Sequence, residues 1–477
     1  MLLTAQYMAG VDSAPSALDE KLVEAILAVV EGGRRDKALH LAGDLHPADV
    51  ARLIGHLPRQ EARVLFHWLP ADTGADVLED LDDALVGEIL EEAAPERLTQ
   101  LIDELDTDDA ADVLAQLDAD VREQVLPALE DADTIRGLMA YHEETAGGIM
   151  ATELVAVRPE WTVAEATGEV RRNAETVEEI FVIFVVDADG RLEGFVSLKR
   201  LLLSPSEATI GSVMRTDVHS VTTVIDQEDV VRIMERYDLV SLAVTDDVGR
   251  LVGRITIDDA IDVARDEAEE DYQRLSGITG DEELTDSVTR ITRGRLPWLF
   301  LGLVGAAFAG SVIGVFEDSI RQVSILAAFI PVVMAMAGNA GIQSSAIMVQ
   351  GLASGDVWSA NVARRLGKEV AVAVLNGLAL AVAIVFVVVL VFVAGGEVAP
   401  DVVGDAPQPI RLAITAGLSL FVVILLAAGI GTGTPLFLSR IGVDPALATG
   451  PFITTSNDII GLIVFFALAS VLYIPFV

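Results

Sequence analysis

Two polar stretches inside otherwise apolar segments could do chemistry in this chain. Asp458 lies in Pro451-Phe-Ile-Thr-Thr-Ser-Asn-Asp-Ile-Ile-Gly461, and Gly338, Asn339, Gly341 and Gln343 interrupt another apolar run. A carboxylate at membrane depth costs about 2.5 kcal/mol or more to insert, so it is kept where it has a partner or a water-filled cavity. Asn339 and Gln343, four residues apart, share one face of a helix, while Gly338 and Gly341 let another backbone approach closely. Pro451 lacks an N–H and so frees a carbonyl near Ala448 for water or an ion. The chemistry expected of these groups is ion passage.

The elements that must position them are five apolar segments, near 297–318, 323–350, 370–394, 410–438 and 450–476. Each is long enough for a bilayer, which needs about 20 apolar residues. Arg290, Arg293, Arg295, Arg364, Arg365, Lys368 and Arg440 flank one side, against Arg321 and Arg411 on the other. Positive residues favour the cytoplasmic side, so the region before residue 297 is expected inside the cell and the C-terminus outside. At about 1.5 Å per residue, Asp458 falls about 12 Å inside the cytoplasmic boundary and Asn339 about 24 Å from the outer one, both in the inner half of the core.

Charge separates this back part from the front. Residues 297–477 hold 6 Lys+Arg and 9 Asp+Glu, whereas residues 1–296 hold 26 and 64, a net −38 of the chain's −41. Such a field repels nucleic acid and gathers cations. With 4 Lys against 28 Arg, the acidity also fits a surface adapted to high internal salt. Both origins stand at this level. There is no cysteine, so disulfides and thiolate metal sites are excluded. The first 20 residues lack a basic stretch followed by an apolar one, so no cleavable signal is expected.

The acidic front divides again. Between residues 45 and 130 a helix-start signal recurs at Leu57-Pro58, Leu69-Pro70, Leu81-Asp82, Ala94-Pro95, Leu105-Asp106 and Leu117-Asp118, every 11 to 13 residues. Proline in a first turn and aspartate at an N-cap punctuate short helices, so an all-α superhelical domain is expected. Between 148 and 265, Phe181 to Ser197 is echoed by Ser241 to Thr256, each a β-branched run, an acidic glycine turn and a second run, followed by a helix at Leu198 or Asp258. Two copies of one βαββα unit are implied.

These copies resemble a tandem pair of CBS domains. Phe329 to Gln343, Asn376-Gly377 and Gly442 to Asp458 closely resemble the MgtE family of magnesium channels, as does the order of modules. The resemblance implies a multidomain fold: an all-α superhelical N domain (20–140), an α/β CBS pair (141–207 and 208–266), a connecting helix (267–296) and an all-α five-helix transmembrane domain (297–477). It further implies a homodimer in the plasma membrane, not an enzyme, with a pore between subunits that internal magnesium closes. Magnesium dehydrates reluctantly, so a pore built of oxygens would pass it hydrated. Asp458, Asn339, Gln343, Gly338, Gly341 and the Ala448 carbonyl are the expected pore groups.

The same resemblance assigns magnesium sensing to Asp108 and Asp112 of the N domain, to Asp226, Glu228, Asp238, Asp259, Asp262, Glu267, Glu270 and Asp271 of the CBS region and following helix, and to Asp444 on a cytoplasmic loop. Pairs such as Asp108/Asp112 and Glu267/Asp271 repel by a few tenths of a kcal/mol on a helix unless cations are shared. Thr256-Ile-Asp-Asp259 resembles a CBS ribose contact, so ATP at the second repeat is a further expectation, although helix N-capping produces the same pattern. A membrane metalloprotease would need His-Glu-x-x-His, but the last histidine is His219, ahead of every apolar segment. A carrier exchanging divalent cations for protons or sodium remains the alternative, with Asp458 as its coupling group.

Overall fold

The computed structural model describes residues 20–278 apart from 92, 175 and 178, together with 282, 288–353, 362–394, 409–448 and 450–476. It divides into two compact units, one through Arg265 and one from Asp266 onward.

The first unit opens with short helices, among them Pro47–His56, Arg59–Trp68, Ala71–Glu79, Asp83–Leu90, Pro95–Ile102, Thr107–Gln116 and Ala119–Val125. Each recurrent sequence signal falls at a helix start, with Pro58, Pro70, Asp82, Ala94, Asp106 and Asp118 at the N-cap positions. None of these three aspartates caps through its side chain. The preceding leucines, Leu57, Leu69, Leu81, Leu105 and Leu117, are all buried. Punctuation here comes from an apolar anchor before each helix, which fixes the angle at which the chain enters it.

The two βαββα repeats follow. In the first, β1 (Ala156–Val157) pairs in parallel with β2 (Val182–Val186), which pairs antiparallel with β3 (Leu192–Ser197); β4 (Ser220–Thr222), β5 (Ser241–Thr245) and β6 (Leu251–Thr256) repeat the pattern. The hairpin turns at Gly190 and Gly249 both have φ +81°, a conformation open to glycine because it lacks a Cβ. The tips interlock: Leu192 N–H donates to Gly249 O and Leu251 N–H to Gly190 O. A helix from Ile257 to Leu275 leaves β6 directly.

That helix begins before residue 267 and ends well before 296. Gly277 (φ +77°) terminates it, with Ile278 N–H bonded to Gln273 O and Gly277 N–H to Arg274 O, the glycine-dependent C-terminal motif in which both exposed carbonyls are satisfied. Residues 279–281 and 283–287 of the expected connecting segment lie outside the described residues.

Among the described residues of the second unit, five helices are long and apolar enough to cross a membrane: Val288–Val315, Ile330–Ala353, Val362–Ala394, Pro409–Arg440 and Pro451–Leu472, here called the first to fifth membrane helices. The fifth carries the buried Phe465 and Phe466 and packs against small residues of its neighbours. Thr455 seats over Gly305 of the first helix, Thr454 lies beside Gly338 of the second, and Gly461 packs on Ala337 and Val333. Lipid gives helices no hydrophobic reason to associate, so close contact through small residues holds such bundles together.

Candidate functional site

In the second unit, Asp458 is half-buried, and a Cβ placed on Gly338 would lie 3.9 Å from its Oδ1 and 3.5 Å from Thr454 Cγ2. Gly338 therefore leaves the fifth helix room to bring its carboxylate against the second. Successive residues of a helix are about 100° apart, so Asn339 and Gln343 lie on another face, where both are exposed, while Gly338 and Gly341 are buried. The glycines seat the fifth helix and the carboxamides form an outward polar stripe. Ala448 ends the 3-10 turn Pro445–Ala448, just ahead of Pro451.

Asn457 is the residue that sequence reasoning missed. It is 1% exposed, and neither polar atom of its side chain has a hydrogen-bond partner among the described residues. Its carboxamide lies on Gly341, and the Gly341 carbonyl in turn lies against Gly431 of the fourth helix. Asn457 on Gly341 and Asp458 by Gly338 are two contacts one turn apart between the same two helices, so the first fixes the phase of the second. Its place next to Asp458 was the available signal.

In the first unit an acidic cluster forms around the start of helix Thr107–Gln116. Carboxylate oxygens of Asp106, Asp108 and Glu153 lie within 4.8 Å of one another. Glu153 is held there by Thr107, whose Oγ1 donates to it at 2.9 Å, and Thr107 Oγ1 also accepts from Thr152 N–H at 3.0 Å. Asp108 is 7% exposed, and its Oδ1 has no hydrogen-bond partner among the described residues. Burial, and then the charges of Asp109, Asp259, Asp106 and Glu153, hold the Asp108 carboxyl well above the ordinary carboxylate range. Burial and Glu79, Asp259, Asp112 and Asp106 do the same to Asp109. Three segments thus bring acids together: the N-domain helix, residue 153, and Asp259 at the start of the long helix. An all-oxygen donor set with an orphaned buried carboxylate oxygen suits a hard divalent cation such as magnesium. Asp106, Asp109 and Glu153 were not singled out from sequence, because only folding juxtaposes residue 153 with residues 106–109.

Asp259 and the charge of Asp112 act on this cluster, and the other expected sensing acids have settings of their own. Asp112 is exposed on the same helix. Asp226 caps helix Gln227–Tyr237 by accepting Glu228 N–H, Glu228 pairs with Arg232 at 2.6 Å, and Asp238 ends that helix at φ +51°. Asp262 pairs with Arg265 at 3.1 Å and raises the carboxyl of Asp80, which burial raises most. Thr256 donates to Asp259 Oδ2 from its N–H and its Oγ1, closing the first turn of the long helix. This pair is the one offered as a ribose contact, and here it serves as a cap. Glu267 and Asp271 are half-buried in the second unit. There, Glu270 and Asp444 both pair with Arg274.

Comparison with known proteins gives a consistent result. The model of a divalent cation transporter family, MgtE, matches residues 330–468; those of the MgtE intracellular N domain and the CBS domain match 45–144 and both 146–207 and 210–266. The chain is 32% identical over 474 residues to the magnesium transporter MgtE of Thermus thermophilus, covering 95% of this chain and 99% of that one. It is 30% identical over 454 residues to that of Bacillus subtilis, covering 95% and 97%. A crystal structure of the cytosolic domain of the Mg2+ channel MgtE in complex with ATP is 34% identical, covers 50% of this chain and 99% of that one, and has a TM-score of 0.48.

Proposed function

The chain belongs to the MgtE family of divalent cation transporters, and on that premise we propose that it is a magnesium channel of the plasma membrane, closed by magnesium on its cytoplasmic side. The observation that carries the reading is Asp458: a half-buried carboxylate on a membrane helix, beside Gly338, with no ion-pair partner among the described residues. Such a group is retained in a membrane where it faces an ion path. Asn339 and Gln343 support a pore shared by two subunits. Two carboxamides exposed on the side of a membrane helix are costly against lipid, and a second copy presenting the same stripe would give them a common aqueous path. The arginine-rich flanks support an orientation with the soluble unit inside the cell.

Gating follows from the acidic cluster. Asp106, Asp108, Asp109, Glu153 and Asp259 repel one another, and a bound magnesium ion converts that repulsion into cross-linking of three segments. An ion that binds the assembled arrangement better than the loosened one shifts the population toward it. The test is magnesium flux into proteoliposomes holding the full chain, with magnesium varied on the side of the soluble unit. Flux should run down its gradient without a proton or sodium gradient, and it should fall as cytoplasmic-side magnesium rises. Strict dependence on a counter-ion gradient would establish the coupled carrier instead.

A further inference from the structure

The end of the long helix is tied to the entrance of the fifth membrane helix in two places. Arg274 donates from one guanidinium nitrogen to Asp444 and from the other to Glu270. Three residues on, Gly277 meets the Pro451 ring, where a Cβ on Gly277 would lie 3.1 Å from Pro451 Cδ. The second oxygen of Asp444 accepts Ala446 N–H at 2.8 Å, fixing the turn Pro445–Ala448 that leads into Pro451. The chain of contacts runs from Arg274 through Asp444 and that turn to the helix bearing Asp458. The three charged side chains are partly withdrawn from water, with relative exposures of 27% for Arg274, 21% for Glu270 and 31% for Asp444.

We infer that Arg274 is a resident cation of this latch, a positioning residue that holds the fifth-helix entrance to the long helix when magnesium is scarce. A guanidinium is always charged and forks rigidly, so it neutralises two carboxylates at once with directed hydrogen bonds. Without it, Glu270 and Asp444 would face each other as like charges, and the contact would need a mobile cation to bridge them. Arg274 therefore sets a floor of closure independent of magnesium, and magnesium acts on top of it. This inference rests on the proposed magnesium-gated channel.

The test compares the full-length parent with Arg274→Gln, Arg274→Lys, Asp444→Asn and the Arg274→Gln/Asp444→Asn double variant in proteoliposomes. An ion pair of this exposure shifts an equilibrium about two- to fivefold. With magnesium chelated on the cytoplasmic side, Arg274→Gln should raise flux by about that factor, and Arg274→Lys should stay near the parent. Asp444→Asn should match Arg274→Gln, and the double variant should add nothing further, because the two residues act through one contact. Proteinase K in EDTA should cut residues 266–278 faster in Arg274→Gln than in the parent, with protection restored by magnesium. Parental flux in chelated Arg274→Gln, or additive effects of the two single variants, would overturn the latch. A parent that carries no magnesium would instead overturn the channel reading, while the proteolysis comparison would still decide the latch.

Discussion

Asn457 and Gly341 occupy one space: a Cβ on Gly341 would lie 1.8 Å from Asn457 Nδ2. A methyl group there must push the fifth helix away from the second, and overpacking of this kind costs about 1–3 kcal/mol. Gly341→Ala is expected to cut magnesium flux about tenfold or more by moving Asp458 off Gly338. Asn457→Ala in the same chain removes the obstructing carboxamide and should recover a good part of that flux. Flux measured on both variants at matched reconstituted amounts checks this; a double variant as inactive as Gly341→Ala would show that the carboxamide is not the obstruction.

Asp458→Ala should abolish selective magnesium flux and leave the protein inserted and folded, since the side chain makes no ion pair that the bundle depends on. Asp458→Asn keeps the shape and loses the charge, and so separates the two contributions. Normal magnesium conduction in either variant, read beside size-exclusion profiles matching the parent, would remove Asp458 from the path.

The acidic cluster has a pH signature. Asp108 is held well above its ordinary value of 3.8, so the folded unit binds that proton more tightly than the unfolded chain. The stability this confers is complete below the unfolded value and is lost as pH climbs through the raised folded value. In EDTA, the melting temperature of the parent should therefore fall more steeply than that of Asp108→Asn as pH rises above the ordinary carboxylate range. Magnesium should flatten the parent's curve by compensating the carboxylate. Parallel curves for parent and variant in EDTA would refute the assignment.

At neutral pH in EDTA, Asp108→Asn should melt about 2–4 °C above the parent for each kcal/mol of relieved repulsion, and it should lose most of the magnesium-induced rise in melting temperature. Calorimetry with and without magnesium measures both. An undiminished magnesium shift would place the ion elsewhere.

The acidity of residues 1–296 has two candidate origins, and salt separates them. In molar KCl the Debye length is only about 3 Å, so general screening is already saturated. Millimolar magnesium should still protect residues 259–277 from proteolysis under those conditions. Digestion patterns that magnesium does not change would make these carboxylates ordinary surface charge.

What the sequence made legible was local or periodic. The recurrent helix-start signal, with a leucine in five of its six copies, the duplicated hairpin and the five apolar runs are patterns of near neighbours, and each appears where expected. In the polar stretch 338–343 the 100° step of a helix sends Gly338 and Gly341 inward and Asn339 and Gln343 outward, the same division between close-approach glycines and a carboxamide face that their spacing suggested. Glu153 beside Asp108, and Asp444 on Arg274, depend on contacts across 45 and 170 residues that no spacing rule reports. The aspartates at the N-domain caps suggested side-chain capping, but burial of the preceding leucines marks those helix starts.

The exchanged hydrogen bonds between the hairpin tips, Leu192 to Gly249 and Leu251 to Gly190, bear on how the CBS pair can be divided. Each repeat supplies the donor and the acceptor that the other's turn lacks, so a chain truncated after the first repeat would leave Gly190 O and Leu192 N–H to solvent. The two repeats should gain and lose their structure as one cooperative block. A ligand that steadies either turn would raise the resistance of both to unfolding, so hydrogen exchange at residues 192 and 251 should slow together.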